Sequence, residues 1–429
     1  MEIYVVQQGD TIHTVAEKFN IAVDKLVYDN GLVYPYNLVI GQAIIIAYPK
    51  QTHIVHEGET LQSIANTYGV SEMQILRNNS FISDRGTLIL GETLVISYNT
   101  IMSISTNGFI YPYVRKETLL KILPNLTYLT IFNYTISERG EVKEYYDDSS
   151  VVNTAKEYGV IPLLLASTLS PQGEPNIKIA YDILLSEEYQ DRSINQFVDI
   201  MKQKGYLGMN IVLNFLDKSN QSLYLNFVRR ISEHLQQEGL MFFITNNYAT
   251  QESNGSISIE DIDYSKFSPY VNGLIFIKFV WSTNLGPPSP VSNIENIRAV
   301  IDYATSLVSS DKIVVGNPVI GYDWQLPYVP NWSNVSSMSI DSALYLAKET
   351  GVIIQFDDIS KTPYFYYNQI YIGAPVEHIV WFIDVRSIEE LSNVIQEYAL
   401  NGSGIWNTMI YYPQVWTTMN ARFDTVKLI

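Results

Sequence analysis

The chain has 429 residues, of which 47% are hydrophobic and 13% aromatic, a composition typical of a folded protein with two or three domains. Its 44 acidic and 27 basic residues give a formal charge of −17, which argues against nucleic acid or an anionic membrane as a partner, because both bind basic surfaces. The chain contains no cysteine, so disulfides, thiolate metal sites and a cysteine nucleophile are excluded.

The first ten residues lack the basic region and the apolar stretch that define a secretory signal peptide. No run of about 18 apolar residues, the length needed to cross a bilayer, occurs further along the chain. We therefore expect a soluble protein that is made in the cytoplasm without a signal peptide and has no membrane partner.

Two copies of one sequence pattern fill residues 1–49 and 50–99, and the pattern aligns Tyr4 with His53. Each copy has a short alternating strand that ends at a glycine, a threonine suited to cap a helix, and an apolar helical pattern. A second short helix and a closing strand follow, "AIIIAY" in one copy and "TLVISY" in the other. The repeat therefore predicts two small βααβ modules.

Both copies resemble the LysM module, whose members bind glycans built from N-acetylglucosamine, such as peptidoglycan and chitin. The shared marks are V-x-x-G-[DE]-T, an aromatic residue that closes the first helix, an asparagine that ends the second, and L-x-x-G before the last strand. The alternative is that the glycines only form a turn and the threonines only cap a helix. The resemblance implies a sugar groove at Gly9, Asp10, Thr11, Leu38 and Val39, and at Gly58, Glu59, Thr60, Leu88 and Ile89.

The third domain, residues 100–429, follows a polar segment at 97–108 that we predict to be a linker. Strand-like apolar runs alternate with helical patterns, which favours a parallel sheet covered on both faces. Two of the predicted helices stop at Gly205 and Gly239. The pattern indicates a (β/α)8 TIM barrel, with a doubly wound sheet as the alternative. The predicted strands are 128–136, 160–167, 208–215, 240–247, 273–281, 313–324, 378–384 and 402–411.

The order of several motifs in this domain resembles the branch of glycoside hydrolase family 18 found in spore germination and cortex-lytic enzymes. The motifs are "GPP" at Gly286, "GYDWQLPY" at Gly321, "YFYYN" at Tyr364, "HIVWFIDVRS" at His378 and "GIWNTMIYYPQVW" at Gly404. Proteins of that branch also carry two N-terminal LysM copies. The resemblance implies a TIM barrel, N-acetylglucosaminidase activity on peptidoglycan fragments, and a place in the coat or cortex of a bacterial spore.

The catalytic motif of that family is degenerate in this chain. One barrel strand of the family carries D-G-x-x-x-D-x-E: the glutamate protonates the departing oxygen, and the neighbouring aspartate orients the substrate's acetamide. A tyrosine on a later strand holds the other end of the acetamide, and an acid follows it. At the matching positions this chain has Leu207, Val212 and Asn214 in place of the three acids, and Phe279 and Val280 on the later strand.

Aromatic residues near predicted strand ends suggest a surviving cleft in the barrel. Trp406 matches the family tryptophan that floors the sugar site, and Trp281, Tyr322, Asp323 and Trp324 are predicted on the same face. The alternative is that these rings only pack the core. The five histidines show no metal-ligand spacing, and we expect neither a metal nor a cofactor.

These observations predict a protein that binds peptidoglycan or a chitin-like glycan through its LysM modules. Its barrel is predicted to be a pseudoenzyme that serves as a scaffold or weak glycan binder. Two alternatives stay open: an active N-acetylglucosaminidase that uses other groups, such as Asp217 in place of the acid, and a barrel that binds a protein or toxin partner.

Overall fold

The structure, a computed structural model, describes residues 1–168, 176–248, 250–253, 256–278, 286–330 and 332–429, without the side chains of residues 84, 251–253 and 256. Residues 1–99 contain β1 (Glu2–Val5), α1 (Ile12–Phe19), α2 (Val23–Asn30), β2 (Ala43–Ile46), β3 (Gln51–Ile54), α3 (Leu61–Tyr68), α4 (Glu72–Asn78), α5 (Phe81–Arg85) and β4 (Thr93–Ser97).

The remaining chain contains, in order, β5 (Met102–Ile110), α6 (Lys116–Ile122), β6 (Tyr128–Ile136), β7 (Val142–Glu144), α7 (Ser149–Glu157), β8 (Ile161–Ser167), α8 (Ile177–Leu184), α9 (Glu187–Lys204), β9 (Gly208–Leu213), α10 (Gln221–Gln237), β10 (Met241–Asn246), β11 (Thr250–Ser253), β12 (Ser256–Ile259), β13 (Gly273–Phe276), α11 (Ile294–Leu307), β14 (Ile313–Pro318), β15 (Gly321–Gln325), β16 (Val335–Met338), α12 (Ile340–Thr350), β17 (Gln355–Asp357), β18 (Thr362–Tyr371), β19 (Ala374–Trp381), α13 (Val385–Glu397), β20 (Gly402–Trp406), α14 (Pro413–Arg422) and β21 (Phe423–Thr425). None of the helices in the described ranges is both long enough and apolar enough to cross a bilayer.

Each N-terminal module packs its helices on a two-stranded antiparallel sheet, β1 with β2 and β3 with β4. The predicted threonine caps are confirmed: Thr11 and Thr60 each form a capping box with the residue three positions later, Thr14 or Ser63. The predicted βααβ order is also confirmed, and the second module adds the short helix α5.

The repeated asparagine at the end of the second helix has a structural role in both modules. The Asn30 amide donates to the Ile45 carbonyl at 2.9 Å, and its side-chain oxygen accepts from the Ile45 amide at 2.7 Å. Asn79 makes the same two contacts with Val95, at 2.7 and 2.8 Å. The asparagine therefore connects the second helix to the closing strand, because its side chain pairs with both the amide and the carbonyl of one strand residue.

Eight parallel strands close into a barrel in the order β5, β6, β8, β9, β10, β13, β14 and β20, and β20 returns to pair with β5. The predicted TIM barrel is confirmed, and the closed ring excludes a doubly wound sheet, which has two open edges. Side chains alternate along each strand between the barrel interior and the surrounding helices. Two of the predicted helices end as expected, at Gly205 and just before Gly239, where the backbone φ is positive.

The segment predicted to be a linker is instead largely the first barrel strand, β5, which begins at Met102. The prediction was wrong because alternate residues of β5 are polar and nevertheless face the interior. Asn107 accepts a hydrogen bond from the Thr130 hydroxyl at 2.8 Å, and the Ser105 hydroxyl contacts the Asn401 side chain. Buried polar side chains that find such partners carry no hydrophobic signal, so pattern analysis missed this strand.

A five-stranded antiparallel sheet in the order β16, β15, β19, β18 and β17 is inserted between the barrel strands β14 and β20. The barrel strand predicted at 378–384 was wrong, because most of that segment belongs to β19 of the inserted sheet. The predicted strand at 313–324 divides into the barrel strand β14 and the inserted strand β15. A short apolar segment predicts a buried strand, but it does not indicate to which sheet the strand belongs.

Both modules are fixed on the barrel by α14. The Gln414 amide donates to the Asn30 side chain and to the Ala43 carbonyl, both at 2.9 Å. Near the other end of α14, the Asn420 amide donates to the Arg77 carbonyl at 3.0 Å. The modules therefore hold a defined position on the barrel, because buried amides at both ends of one helix contact both copies.

The ammonium group of Lys427 is enclosed at the C-terminal end of the chain. It donates to the carbonyls of Leu123, Leu126 and Tyr158 at 2.9, 2.6 and 3.2 Å. Burial, aided by the positive charge of Arg77, lowers the pKa of Lys427 to about 7. The unfolded chain, in which a lysine has a pKa of about 10.4, therefore binds more protons between these two pH values.

We expect the free energy of unfolding to rise with pH from about 7 to about 10, by at most about 1.4 kcal/mol per pH unit. The variant Lys427→Met should lack this rise. Urea unfolding at several pH values gives the slope of the free energy of unfolding against pH. The wild-type slope minus the variant slope is the contribution of Lys427 alone, because other titrating groups are common to both proteins. Equal slopes would show that Lys427 keeps its charge when folded.

Candidate functional site

The interior of the barrel is a hydrophobic cluster with members on all eight strands, and Val212 and Trp406 belong to it. Val212 is 4% exposed and Trp406 is 6% exposed. The indole of Trp406 meets the ring of Phe109 edge to face, with centroids 5.8 Å apart. Active sites of TIM barrels lie at the C-terminal ends of the strands, and Trp406 is the last residue of β20.

The positions matched to the family acids lie along β9. Asn210, Val212 and Asn214 alternate along the strand and share its interior face, with Asn214 one residue beyond the end of β9. Both polar atoms of the Asn214 side chain are buried and have no hydrogen-bond partner among the described residues. Leu207 precedes β9 and packs against the interior cluster. The other three site predictions, Phe279, Val280 and Trp281, lie outside the described residues.

Asp217, the residue considered as a replacement acid, caps the start of the segment that leads into α10. Its carboxylate accepts hydrogen bonds from the Ser219 hydroxyl at 2.5 Å and from the backbone amides of Ser219 and Asn220 at 2.7 and 2.9 Å. The Ser219 hydroxyl, together with these amides, lowers the pKa of Asp217. A carboxylate held ionised in this way is poorly suited to donate a proton.

Two other carboxyl groups have raised pKa values. Asp341, in the first turn of α12, lines a cavity of about 220 Å³ with Asn407, the residue after Trp406. Loss of hydration raises the pKa of Asp341. Loss of hydration, aided by the negative charge of Asp217, raises the pKa of Glu260. Glu260 lines another cavity together with Asn247, the residue after β10. These two side chains are the groups to test for residual acid catalysis.

A row of aromatic rings leads from Trp406 to the surface. Tyr111 lies 6.1 Å from Trp406 between ring centroids, and it stacks on Tyr113 at 5.4 Å. Tyr113 in turn meets Tyr146 edge to face at 5.3 Å. Tyr113 and Tyr146 are 57% and 49% exposed, so their rings can contact a bound molecule. The sequence analysis missed this row, although the two tyrosines of "YPY" at 111–113 were a usable signal.

The predicted cleft residues on β15 are engaged elsewhere. Tyr322 and Trp324 are buried in the large hydrophobic core, with ring centroids 5.7 Å apart. Asp323 faces the other side of the inserted sheet, where it accepts from the Tyr367 hydroxyl at 2.7 Å and contacts the His378 imidazole at 2.9 Å. Tyr322 and Trp324 therefore pack the core and do not line a cleft, whereas Trp406 lies in the barrel interior.

The two modules present their predicted sugar loops differently. In the first module Val39 is 7% exposed and packs into the barrel's hydrophobic core, while the Ile354 amide donates to the Ile40 carbonyl at 3.0 Å. In the second module Ile89 occupies the equivalent position and is 53% exposed. The loop of the second module is therefore open to solvent, whereas the loop of the first is docked against the barrel.

The other half of each predicted groove is a tight turn between the first strand and the first helix. Gly9 and Gly58 have φ values of 87° and 82°, a region in which other residues are strained. In the first module the Tyr4 hydroxyl donates to Asp10 at 2.6 Å and is the largest cause of the lowered pKa of Asp10. The predicted partners of these turns, Leu38 and Leu88, pack partly buried against their own module cores.

The second module brings together two histidines and a carboxylate that the sequence analysis did not group. The His53 imidazole lies 2.7 Å from Glu59, and the His56 imidazole lies 3.5 Å from the same carboxylate oxygen. The signal was the spacing His-x-x-His-x-x-Glu, which a tight turn folds onto one face. The expectation that the histidines show no ligand spacing overlooked this turn.

Comparisons with known proteins agree with this architecture. The model of the glycosyl hydrolases family 18 matches residues 172–409, and the LysM domain matches residues 4–47 and 53–97. The crystal structure of the Bacillus megaterium QM B1551 spore cortex-lytic enzyme SleL is similar over 100% of this chain and 99% of that chain, with 28% identity and a TM-score of 0.78. The SleL structure from Bacillus cereus covers 99% of both chains at 27% identity and a TM-score of 0.78. The cortical fragment-lytic enzyme of Bacillus subtilis (strain 168) is 27% identical over 433 residues, 100% of this chain and 99% of that protein.

Proposed function

Because the chain belongs to glycosyl hydrolase family 18 and carries two LysM modules, we propose that it is a spore protein that binds peptidoglycan and does not hydrolyse it. Relatives that match over the whole chain are named as cortex-lytic enzymes, and these names support both peptidoglycan as the ligand and the spore as the location. The LysM modules attach the protein to the glycan, and the barrel acts as a scaffold with a weak glycan-binding mouth.

The open loop of the second module is the observation that supports glycan attachment. We infer that backbone groups of its tight turn and the side chain of Ile89, which is 53% exposed, form the sides of a shallow groove that holds acetamide groups and covers sugar faces. The row from Trp406 to Tyr146 adds rings on which sugars can stack. Two weak sites on one chain raise each other's effective concentration, so a long glycan strand that reaches both sites is held more tightly than a short one.

Co-sedimentation of the full chain with purified spore peptidoglycan tests this attachment. We expect Ile89→Asp to weaken binding about 10-fold or more, because a charge then replaces an apolar wall of the groove. The matched control is Val33→Asp, which changes an exposed apolar residue, 81% exposed, on the corresponding loop of the first module. Equal loss in both variants, or no loss in either, would contradict a site on the second module.

The absence of hydrolysis is proposed from the barrel mouth. The interior face at the end of β9 carries Val212 and Asn214, which have neither an acidic proton to donate nor a negative charge to stabilise the acetamide as it reacts. An apolar side chain such as that of Val212 is compatible with burial there, whereas a carboxylate is costly to desolvate. The strand therefore keeps its place in the barrel without the groups that the family's reaction uses.

Binding of a protein partner is the second candidate function. The hairpin between β18 and β19 ends in Ile370, Tyr371 and Ile372, which are 69%, 67% and 89% exposed. An apolar tip of this kind is a common contact for another protein. A pull-down from spore lysate with the wild-type chain and with Ile372→Asp tests it: a partner captured only by the wild type would support this role.

A further inference from the structure

His53, His56 and Glu59 lie on the turn between β3 and α3 of the second module. One nitrogen of each imidazole and one carboxylate oxygen all lie within 4.8 Å of one another. His53 and Glu59 are in direct contact at 2.7 Å, and His56 is 3.5 Å from the same oxygen. The three side chains thus converge on one point beside the module's exposed turn.

Imidazole nitrogens and a carboxylate oxygen are the ligand set that Zn²⁺ takes in sites with three protein ligands and one open position. Tetrahedral Zn²⁺ with bonds of about 2.0–2.1 Å separates its ligand atoms by about 3.3 Å. The observed separations are therefore within small side-chain rotations of that geometry. The side chain of His56 is 72% exposed, so it has room to make this adjustment.

A neighbouring hydroxyl orients one of the ligands. The Nδ1 atom of His53 lies 3.1 Å from the Tyr68 hydroxyl, which leaves Nε2 directed at Glu59. Metal-bound histidines usually have such a partner on their other nitrogen, because it sets the tautomer and the ring orientation. Tyr68 also closes α3, so the ring is held by the helix that follows the turn.

The first module shows that the fold itself does not require these histidines. Tyr4, Gln7 and Asp10 occupy the equivalent positions, and they reproduce the turn with a Tyr4 hydroxyl bond of 2.6 Å and a Gln7 amide bond of 2.7 Å to Asp10. The His56 amide likewise donates to Glu59 at 2.7 Å. The two imidazoles therefore add metal-ligand atoms to a turn that is already complete without them.

We propose that His53, His56 and Glu59 form a Zn²⁺ site on the second module, with an open position facing solvent. The turn is also half of the predicted sugar groove, so the open position can accept an oxygen of a bound sugar in place of water. The metal site depends only on the three side chains. Its effect on glycan binding rests on the proposed function.

Isothermal titration of the chelator-treated full chain with ZnCl₂ tests the site. We expect one equivalent of Zn²⁺ per chain, and Co²⁺ should give the visible absorption of a low-coordinate nitrogen–oxygen site. The double variant H53Y/H56Q installs the residues of the first module and should lower affinity at least about 100-fold. The control His13→Gln changes an exposed histidine on α1 and should leave binding unchanged.

Zn²⁺ binding that H53Y/H56Q retains, or the lack of saturable binding by the wild type, would overturn the site. A melting temperature of the double variant equal to that of the wild type without metal confirms that the variant is folded. Sedimentation with peptidoglycan, with and without Zn²⁺, then examines the glycan link separately. If Zn²⁺ tightens peptidoglycan binding in the wild type and not in the double variant, the effect of the metal on glycan binding is supported. If Zn²⁺ leaves the peptidoglycan affinity of the wild type unchanged, that effect is overturned and the metal site is unaffected.

Discussion

A chromogenic N-acetylglucosaminide is expected to be hydrolysed by this protein at least about 10⁴-fold more slowly than by a family member with the complete acid motif. Loss of a general acid alone typically lowers the rate by about 10²–10⁴-fold. Loss of one group that stabilises the transition state lowers it by a further factor of about 10²–10³. Asn214 and Val212 stand at those two positions on the interior face of β9.

The double variant Val212→Asp with Asn214→Glu is expected to raise turnover by about 10²-fold or more over the unmodified chain. Both side chains lie on the interior face, so the new carboxyl groups enter the barrel mouth beside Trp406. Valine and aspartate are close in size, and glutamate at 214 extends toward the open end of the barrel. Initial rates with the chromogenic substrate and with muropeptides measure the effect.

Asp341→Asn and Glu260→Gln in the unmodified chain are the controls for a substitute acid, because both carboxyl groups have raised pKa values. A raised pKa favours the protonated carboxyl group that general acid catalysis uses. Measurable turnover by the unmodified chain that either variant abolishes would establish an active enzyme and end the proposal of an inactive barrel. Turnover that neither variant changes would also contradict an inactive barrel, and it would exclude both carboxyl groups as the acid.

Replacement of Gly41 by alanine is expected to lower the free energy of unfolding by about 2–4 kcal/mol, whereas the same change at Gly91 should cost about 1 kcal/mol. The two glycines are equivalent in the repeat and have nearly the same φ, 86° and 83°, so the backbone strain is matched. A Cβ atom on Gly41 would overlap the Ile354 carbonyl, while one on Gly91 meets nothing within 4 Å. The difference between the two variants therefore measures the docking of the first module.

Urea unfolding of both variants gives the two energies, and hydrogen exchange at the Ile354 amide gives a local measure. That amide donates to the Ile40 carbonyl at 3.0 Å, so its exchange should accelerate in Gly41→Ala and not in Gly91→Ala. Equal stabilities together with equal exchange would show that the first module is not held against the barrel in solution.

The motif order of residues 100–429 indicated the barrel through its resemblance to a known family. The amino-acid sequence by itself determined the repeat and the capped helices. These features depend on local periodicity, turn glycines and capping hydroxyls, which act over a few residues. The family resemblance matched the acid motif to β9, and strand alternation alone places Asn210, Val212 and Asn214 on one face. The local pattern failed at β5, where the interior residues Ser105 and Asn107 are polar and contact Asn401 and Thr130 on other segments.

Only the tertiary structure decided which module keeps an open loop, because Val39 and Ile89 occupy equivalent positions of the repeat and both are apolar. Their different exposures reflect the contact of the first loop with Ile354, which lies more than 300 residues along the chain from Ile40. The same holds for the row from Trp406 to Tyr146, whose rings come from segments far apart in the sequence. Contacts between distant segments arise from packing of the whole chain, and no local pattern encodes them.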